Sequence, residues 1–263
     1  MTVLVIVTAV VAAVVAASGI TTATNYAATL SGTSSASDVN AVAGDTTGIV
    51  TATVTAGTAA SLVAGLTNAT STDALTLTVN GAIATAADLI TLDGKTSVAI
   101  SVTASAVTGT YADLTTVYTT NAANYTNLGD EAITITDTQS ATNVNTILTK
   151  TSAIVTATVT ADTAANLNTN LSNATASDVL TLTLTDTILA SGSNLISLNG
   201  KTSVDINATS VTSITDTYTN INTIYNGTGI SGLGNEAVTI SDTTNATNVN
   251  GILNKTTRIV TAI

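Results

Sequence analysis

Groups able to do chemistry are sparse in this chain, and most of them recur at a fixed spacing. Asp130 and Glu131 are its one adjacent pair of carboxylates, the grouping that general acid–base catalysis uses. The stretch LGDEAITITDTQSATNVNTILTK at 128–150 returns as LGNEAVTISDTTNATNVNGILNK at 233–255, where the pair reads Asn235-Glu236. Loss of one carboxylate between copies favours a turn or helix-end role. Lys95 with Ser97, copied as Lys201 with Ser203, sets an amine beside a hydroxyl. This spacing beside a strand is not the helical Ser-x-x-Lys spacing of a catalytic dyad. Both lysines read instead as loop cations that lay their stems on apolar surface and discourage edge pairing. Lys150 and Lys255 fall at helix ends, where a cation suits the helix dipole. Oxygen ligands abound, and the metal they suit is Ca2+, with Asp93, Asp137 and Asp242 as candidate ligands. The sequence has no EF-hand loop, no clustered Asp-x-Asp and no Gly-rich phosphate loop. The expectation is a non-enzymatic chain without a cofactor, Ca2+ being the alternative.

Threonine hydroxyls are the most regular surface chemistry. Thr51, Thr53 and Thr55, then Thr76 and Thr78, alternate with apolar residues; so do Thr156, Thr158 and Thr160, then Thr181, Thr183 and Thr185. A period of two puts each set on one strand face. Such a ladder stabilises sheets through cross-strand Thr pairs. It also offers a binding surface for ice or glycan, since a flat Thr-x-Thr array resembles that of insect ice-binding proteins. Ala99 and Ser101, or Asp205 and Asn207, interrupt the ladder. Tyr111 and Tyr118 suit either sugar stacking or the core, and the core is favoured in an interior otherwise made of Ala, Val and Leu. Asn68, Asn173, Asn207 and Asn245 lie in Asn-x-Thr glycan-acceptor patterns.

Composition narrows the function further. The chain holds no Cys or His, so a thiolate nucleophile, an imidazole base and the usual zinc sites are excluded. Net charge is −11, which argues against nucleic acid and anionic lipid as partners. Only 8% of residues are charged while 44% are hydrophobic, so the chain has the apolar surface to fold.

The elements that must position these groups follow from internal repetition. IVTATVT occurs at 49–55 and 154–160, and LITLDGKTSV at 89–98 returns as LISLNGKTSV at 195–204. Repeats of 105 residues span 49–153 and 154–258, with a truncated third copy at 259–263. Each divides into four units of ~25 residues, opening at Ile49, Ala74, Val98 and Ala132 in the first. Each unit opens on a period-two strand and continues into a short helix, such as 140–148 or 161–171, the latter capped by Asp162 or Thr163. The stripe Tyr111, Leu114, Val117 and Tyr118 is copied as Tyr218, Ile221, Ile224 and Tyr225. One strand and one helix cannot bury a face alone, but stacked units can. The predicted fold is an α/β solenoid of parallel strands, each followed by a short helix, over 26–263. About nine units at roughly 4.8 Å each make a rod of about 40 Å.

Residues 1–25 form an apolar N-terminal segment whose core, VLVIVTAVVAAVVAA at 3–17, is read as a capping strand or helix, a signal remnant, or an anchor. It is shorter than the roughly 20 residues of a membrane span and no Lys or Arg precedes it. Ile263 lies just inside a new unit, which reads as a cut fragment or a surface that stacks on another copy.

Repeats of the form IVTATVT-x-x-TAANLNTNL, DALTLTVNGAIATAADLI-x-LDGKTSV and GLGNEAVTISDTT resemble the low-charge strand/helix repeats of large secreted surface proteins of marine bacteria, cyanobacteria and their phages among them. The resemblance covers about 26–263. It implies an extracellular or cell-surface protein, adhesin-like or fibrous, with no catalytic residues to carry over. The expected function is a structural rod: a fibre, surface-layer or adhesin segment that self-assembles end to end. The alternatives are a Thr-face binding module for ice or glycan, or a phage tail-fibre segment. Expected partners are other copies of the chain, the rest of a longer parent, or cell-surface glycan, without nucleic acid or a membrane span.

Overall fold

The structure, a computed structural model, describes residues 5–7, 24–189 and 191–263. The apolar run at 3–17 lies outside the described residues except for Val5–Val7. The chain divides into two compact units, residues 1–134 and 135–263. Both are mixed α/β with parallel sheets, as expected at that level.

Unit 1 begins with β1 (Val5–Val7), β2 (Ala28–Ser34), α1 (Ala36–Asp45), β3 (Val50–Val54), α2 (Ala59–Gly65), β4 (Ala74–Thr76), β5 (Thr78–Val79) and β6 (Ala84–Thr85). It continues with α3 (Ala86–Asp93), β7 (Ile100–Val102), β8 (Ala106–Gly109), α4 (Tyr111–Thr115), β9 (Tyr125–Thr126) and β10 (Ala132–Ile135) at its boundary. Its strands pair in parallel as β1-β2-β3-β4, β5-β7-β9 and β6-β8. Unit 2 holds α5 (Ala141–Leu148), β11 (Val155–Thr158), α6 (Ala164–Asn170), β12 (Val179–Thr181), β13 (Ile188–Leu189), α7 (Gly192–Asn199) and β14 (Ile206–Asn207). After these come β15 (Ser213–Asp216), α8 (Tyr218–Asn226), β16 (Ile230–Ser231), β17 (Ala237–Ile240), α9 (Ala246–Leu253) and β18 (Val260–Ala262). They pair as β11-β12, β13-β15-β17-β18 and β14-β16, again all parallel.

Period two explains the strands. Val50, Ala52 and Val54 are buried while Thr51 and Thr53 between them are exposed. Helix starts follow from hydroxyl caps. Ser35, Thr58, Thr85, Thr110, Ser140, Thr163 and Thr217 each accept a hydrogen bond from the backbone N–H three residues on. Thr163, not Asp162, therefore caps α6. Each helix then lays a narrow apolar stripe on the core, as with Leu89 and Leu92 on α3 or Leu195 and Leu198 on α7.

Three expectations change. ALTLTVN is not one strand: it splits at Leu77 into β4, which pairs with β3, and β5, which pairs with β7. A side chain occupies the far edge of β4. Thr96 Oγ1 accepts the Leu75 N–H at 3.0 Å and donates to the Leu75 carbonyl at 2.7 Å, taking a ladder partner's place. Thr202 does the same to Leu180. Units also carry more than one strand, because the stretches around Ala84 and Val107, both buried, form β6 and β8 ahead of their helices. Lastly, the tyrosine stripe is regular helix only in α8; in unit 1, α4 opens into a π turn at Thr116–Thr120. Tyr118 and Glu131 stand 13 residues apart but Tyr225 and Glu236 only 11, and the wider turn takes up part of the surplus.

Leu180→Ala is expected to destabilise the chain by about 3 kcal/mol, and Thr181→Ala on the outer face by less than about 0.5 kcal/mol. Urea-unfolding midpoints compare the two; similar shifts would contradict the inward–outward assignment.

Candidate functional site

The strand alternation puts every threonine of the expected ladder on the outside. Thr51, Thr53, Thr55, Thr76, Thr158, Thr160, Thr181 and Thr185 are exposed, and Thr78, Thr156 and Thr183 are half-buried. Parallel register aligns several of them across strands. Thr53 stands opposite Thr33 on one side and Thr76 on the other. In unit 2, Thr158 faces Thr181, and Thr215, Thr239 and Thr261 form a row over three strands. The rows are not continuous: Thr51 meets Ala74, Thr78 meets Ser101, and Thr183 bridges to Asn207. Thr55 Oγ1 is turned back onto the Ser34 carbonyl. The exposed ladder is thus a set of short hydroxyl rows with apolar and amide interruptions.

Behind this face lie buried carboxylates, of which the sequence reading singled out Glu131 and Glu236 but not Asp73 and Asp178. Asp73 is only 4% exposed. Its Oδ1 accepts the Val50 N–H at 2.8 Å, and its Oδ2 accepts the Thr70 N–H at 2.8 Å and the Thr70 hydroxyl. Asp178 makes the same bonds to Val155 and Thr175. Each carboxylate therefore satisfies the first N–H of a strand about 23 residues earlier, a group with no ladder partner of its own. Glu131 and Glu236 are the second set. Glu131 accepts the Tyr118 hydroxyl together with the N–H groups of Gly129 and Asp130. Glu236 accepts from Tyr225, Gly234 and Asn235. Gly129 and Gly234 both sit at φ +122, and that left-handed turn aims their N–H groups at the carboxylate. The Asp130-Glu131 pair is accordingly a turn device, as expected, and its working member is the glutamate. The available signal was retention: Asp73, Glu131 and Tyr118 all survive in the second copy, in a chain with 16 acidic residues.

Burial, followed by the hydrogen bond to and charge of Glu131, pushes the Tyr118 phenol well above the ordinary tyrosine range, and Tyr225 is raised in the same way by burial and Glu236. Tyr125 is raised by burial and then by the charge of Asp93; its hydroxyl is buried with no hydrogen-bond partner.

The remaining candidates are dispersed. Asp93 accepts the side-chain amides of Asn121 and Asn124, beside a recess of about 450 Å³ that also touches Ile90, Thr96 and Ser97. Asp137 accepts the Gln139 amide, and Asp242 accepts the Tyr218 N–H. Among the described residues no three acidic groups assemble to hold a metal. Ser97 and Ser203 donate to the carbonyls of Asp73 and Asp178, and Lys201 donates to the Leu171 carbonyl at 2.9 Å. Lys201 thus caps the end of α6 instead of lying free in its loop. Tyr118 is buried, whereas Tyr111 is half-buried. Asn68 and Asn173 are exposed; Asn207 Oδ1 holds Thr209, and Asn245 caps α9. No helix among the described residues is long and apolar enough to cross a membrane. No protein-family model, curated protein or solved structure matches the chain.

Asp178→Ala is expected to cost about 2–4 kcal/mol, because it strands the Val155 N–H in the interior; equilibrium unfolding measures it, and a change below about 0.5 kcal/mol would refute the anchoring role. The tyrosines set an alkaline limit. Their folded pKa lies above the unfolded one, so their contribution is complete below about pH 10 and falls as pH rises beyond it. Unfolding midpoints taken from about pH 8 to 11 should fall, and Tyr118→Phe with Tyr225→Phe should flatten that fall.

Proposed function

We propose that this chain is a structural segment of an extracellular repeat protein. In this reading its strand–helix units stack as a parallel solenoid, four ~25-residue units to each 105-residue repeat, and form a rod-like fibre, surface-layer or adhesin segment. The observation that carries the reading is the pairing step. Strands pair in parallel with partners about 22–25 residues along, from Ala28↔Val50 and Thr51↔Ala74 in unit 1 to Thr156↔Val179 and Val238↔Val260 in unit 2. One such step per unit is how a solenoid advances. The ionisable groups support a non-enzymatic role, since Asp73, Asp178, Glu131 and Glu236 all hold backbone. End-to-end association with other copies belongs to the same reading, since unpaired strand edges are templates for further pairing.

A second reading uses the Thr rows as a binding face for ice or glycan, favoured by the aligned row of Thr33, Thr53 and Thr76. Thermal hysteresis or glycan-array binding, lost in Thr181→Lys with Thr183→Lys, would support it.

The solenoid reading has a length test. A variant carrying one further 105-residue repeat should lengthen in small-angle X-ray scattering by about 20 Å, four steps of roughly 4.8 Å, at constant cross-section. Isotropic growth would overturn it. Negative-stain microscopy at rising concentration tests association: filaments are expected, and monodisperse monomers would remove self-assembly from the proposal.

A further inference from the structure

The two copies of the repeat exchange glycine for aspartate at three positions ahead of helices. Gly57, Gly81 and Gly109 in the first correspond to Asp162, Asp186 and Asp216 in the second, within matching stretches such as IVTATVTAG and IVTATVTAD. The exchange has a packing counterpart. A Cβ on Gly109 would come within 2.8 Å of the Ala86 Cβ, so helix α3 packs directly on the strand that follows it. In unit 2 the small residue lies on the helix instead. A Cβ on Gly192 would meet Ile224 Cδ1 at 2.6 Å and Asp216 Oδ2 at 3.1 Å, so an isoleucine and a carboxylate close over the helix start here.

These carboxylates bond across elements. Asp186 Oδ2 accepts the Ala164 N–H at the start of α6 at 2.7 Å. Asp216 Oδ2 accepts the Ser193 N–H of α7 at 3.1 Å, while its Oδ1 accepts the Thr217 N–H and the Asn220 amide of α8. Helix α7 depends on this bond, because its own N-cap, Ser191, makes no side-chain cap. In unit 1 the acids at helix starts serve their own helix: Asp38 Oδ2 accepts the Ser35 hydroxyl and Asp113 Oδ2 accepts the Thr110 hydroxyl.

We propose that unit 2 carries an acid-released latch at Asp216: its protonation frees the start of α7 from β15, while α3, the corresponding helix of unit 1, packed through Gly109, stays closed. The ionisable neighbours are Asp162, which accepts the Thr163 N–H and the Asn166 amide, Asp242, which accepts the Tyr218 N–H, and Tyr218, whose hydroxyl bonds Asn222. Asp242 has its counterpart in Asp137, and Asp178 in Asp73, so neither distinguishes the copies. Burial opposes the charge on Asp216, but hydrogen bonds from Thr217, Asn220, Ser193 and Gly192 outweigh it and hold its carboxyl below the usual range. The contribution is therefore present above the unfolded value of about 3.9 and is lost as pH falls through the depressed folded value.

Hydrogen–deuterium exchange of the full chain, corrected for intrinsic rates, tests the latch between about pH 7 and pH 2. Amides of α7 should lose protection several-fold more than those of α3. In Asp216→Asn, α7 should be loosened already at neutral pH and show no further acid step beyond that of α3. Equal acid loss in α7 and α3, or an undiminished differential step in the variant, would overturn the proposal. The difference between α7 and α3 in the unsubstituted chain decides the question if the variant does not fold.

Discussion

Short parallel strands leave backbone groups without partners, and this chain depends on supplying them from elsewhere in sequence. Several strands here are two or three residues long, too short for a ladder to satisfy their ends. The side chains of Asp73, Asp178, Thr96 and Thr202 make up the deficit. Each reaches back about 21–23 residues to a strand N–H or carbonyl that would otherwise be buried unpaired. An unsatisfied buried donor costs on the order of 1–3 kcal/mol, so these few contacts remove a substantial penalty from the short strands.

The rest of the architecture follows from that constraint and from a restricted palette. With aromatic residues at 2%, the core is built mainly of Leu, Ile, Val and Ala. The few charges are placed where backbone donors converge: at strand starts, in the turn ahead of Glu131 and Glu236, and at helix N-termini. The tyrosines that do occur are used as donors as much as for bulk, with Tyr118 and Tyr225 each locking a buried glutamate. The exchange of Ala86 and Gly109 for Gly192 and Asp216 shows one junction solved by close packing and again by a carboxylate bridge.

Much of this was legible in the residues. Strict alternation assigned the faces of Val155, Ala157 and Val159 and of the threonines between them, because a period of two leaves no other choice for a strand with one buried side. The start of α6 was legible to within one residue, as Asp162 or Thr163, and the structure places the cap on Thr163. The split at Leu77 was not legible, nor was the role of Thr96, which reads as an ordinary turn residue and acts only once folding brings its hydroxyl to Leu75. Nor was the burial of Asp73: an aspartate at a strand start looks solvated until its partner 23 residues away is known.

The sequence by itself determined the α/β class, the inward and outward faces and the absence of thiol and imidazole chemistry, all of which are local or compositional. Only the tertiary structure decided which strand each one pairs with, where a hydroxyl replaces a ladder partner, and that Glu131, not the Asp130-Glu131 pair, anchors the turn. Those outcomes rest on contacts between residues far apart in the chain, and the geometry of a buried hydrogen bond exists only after the elements have packed.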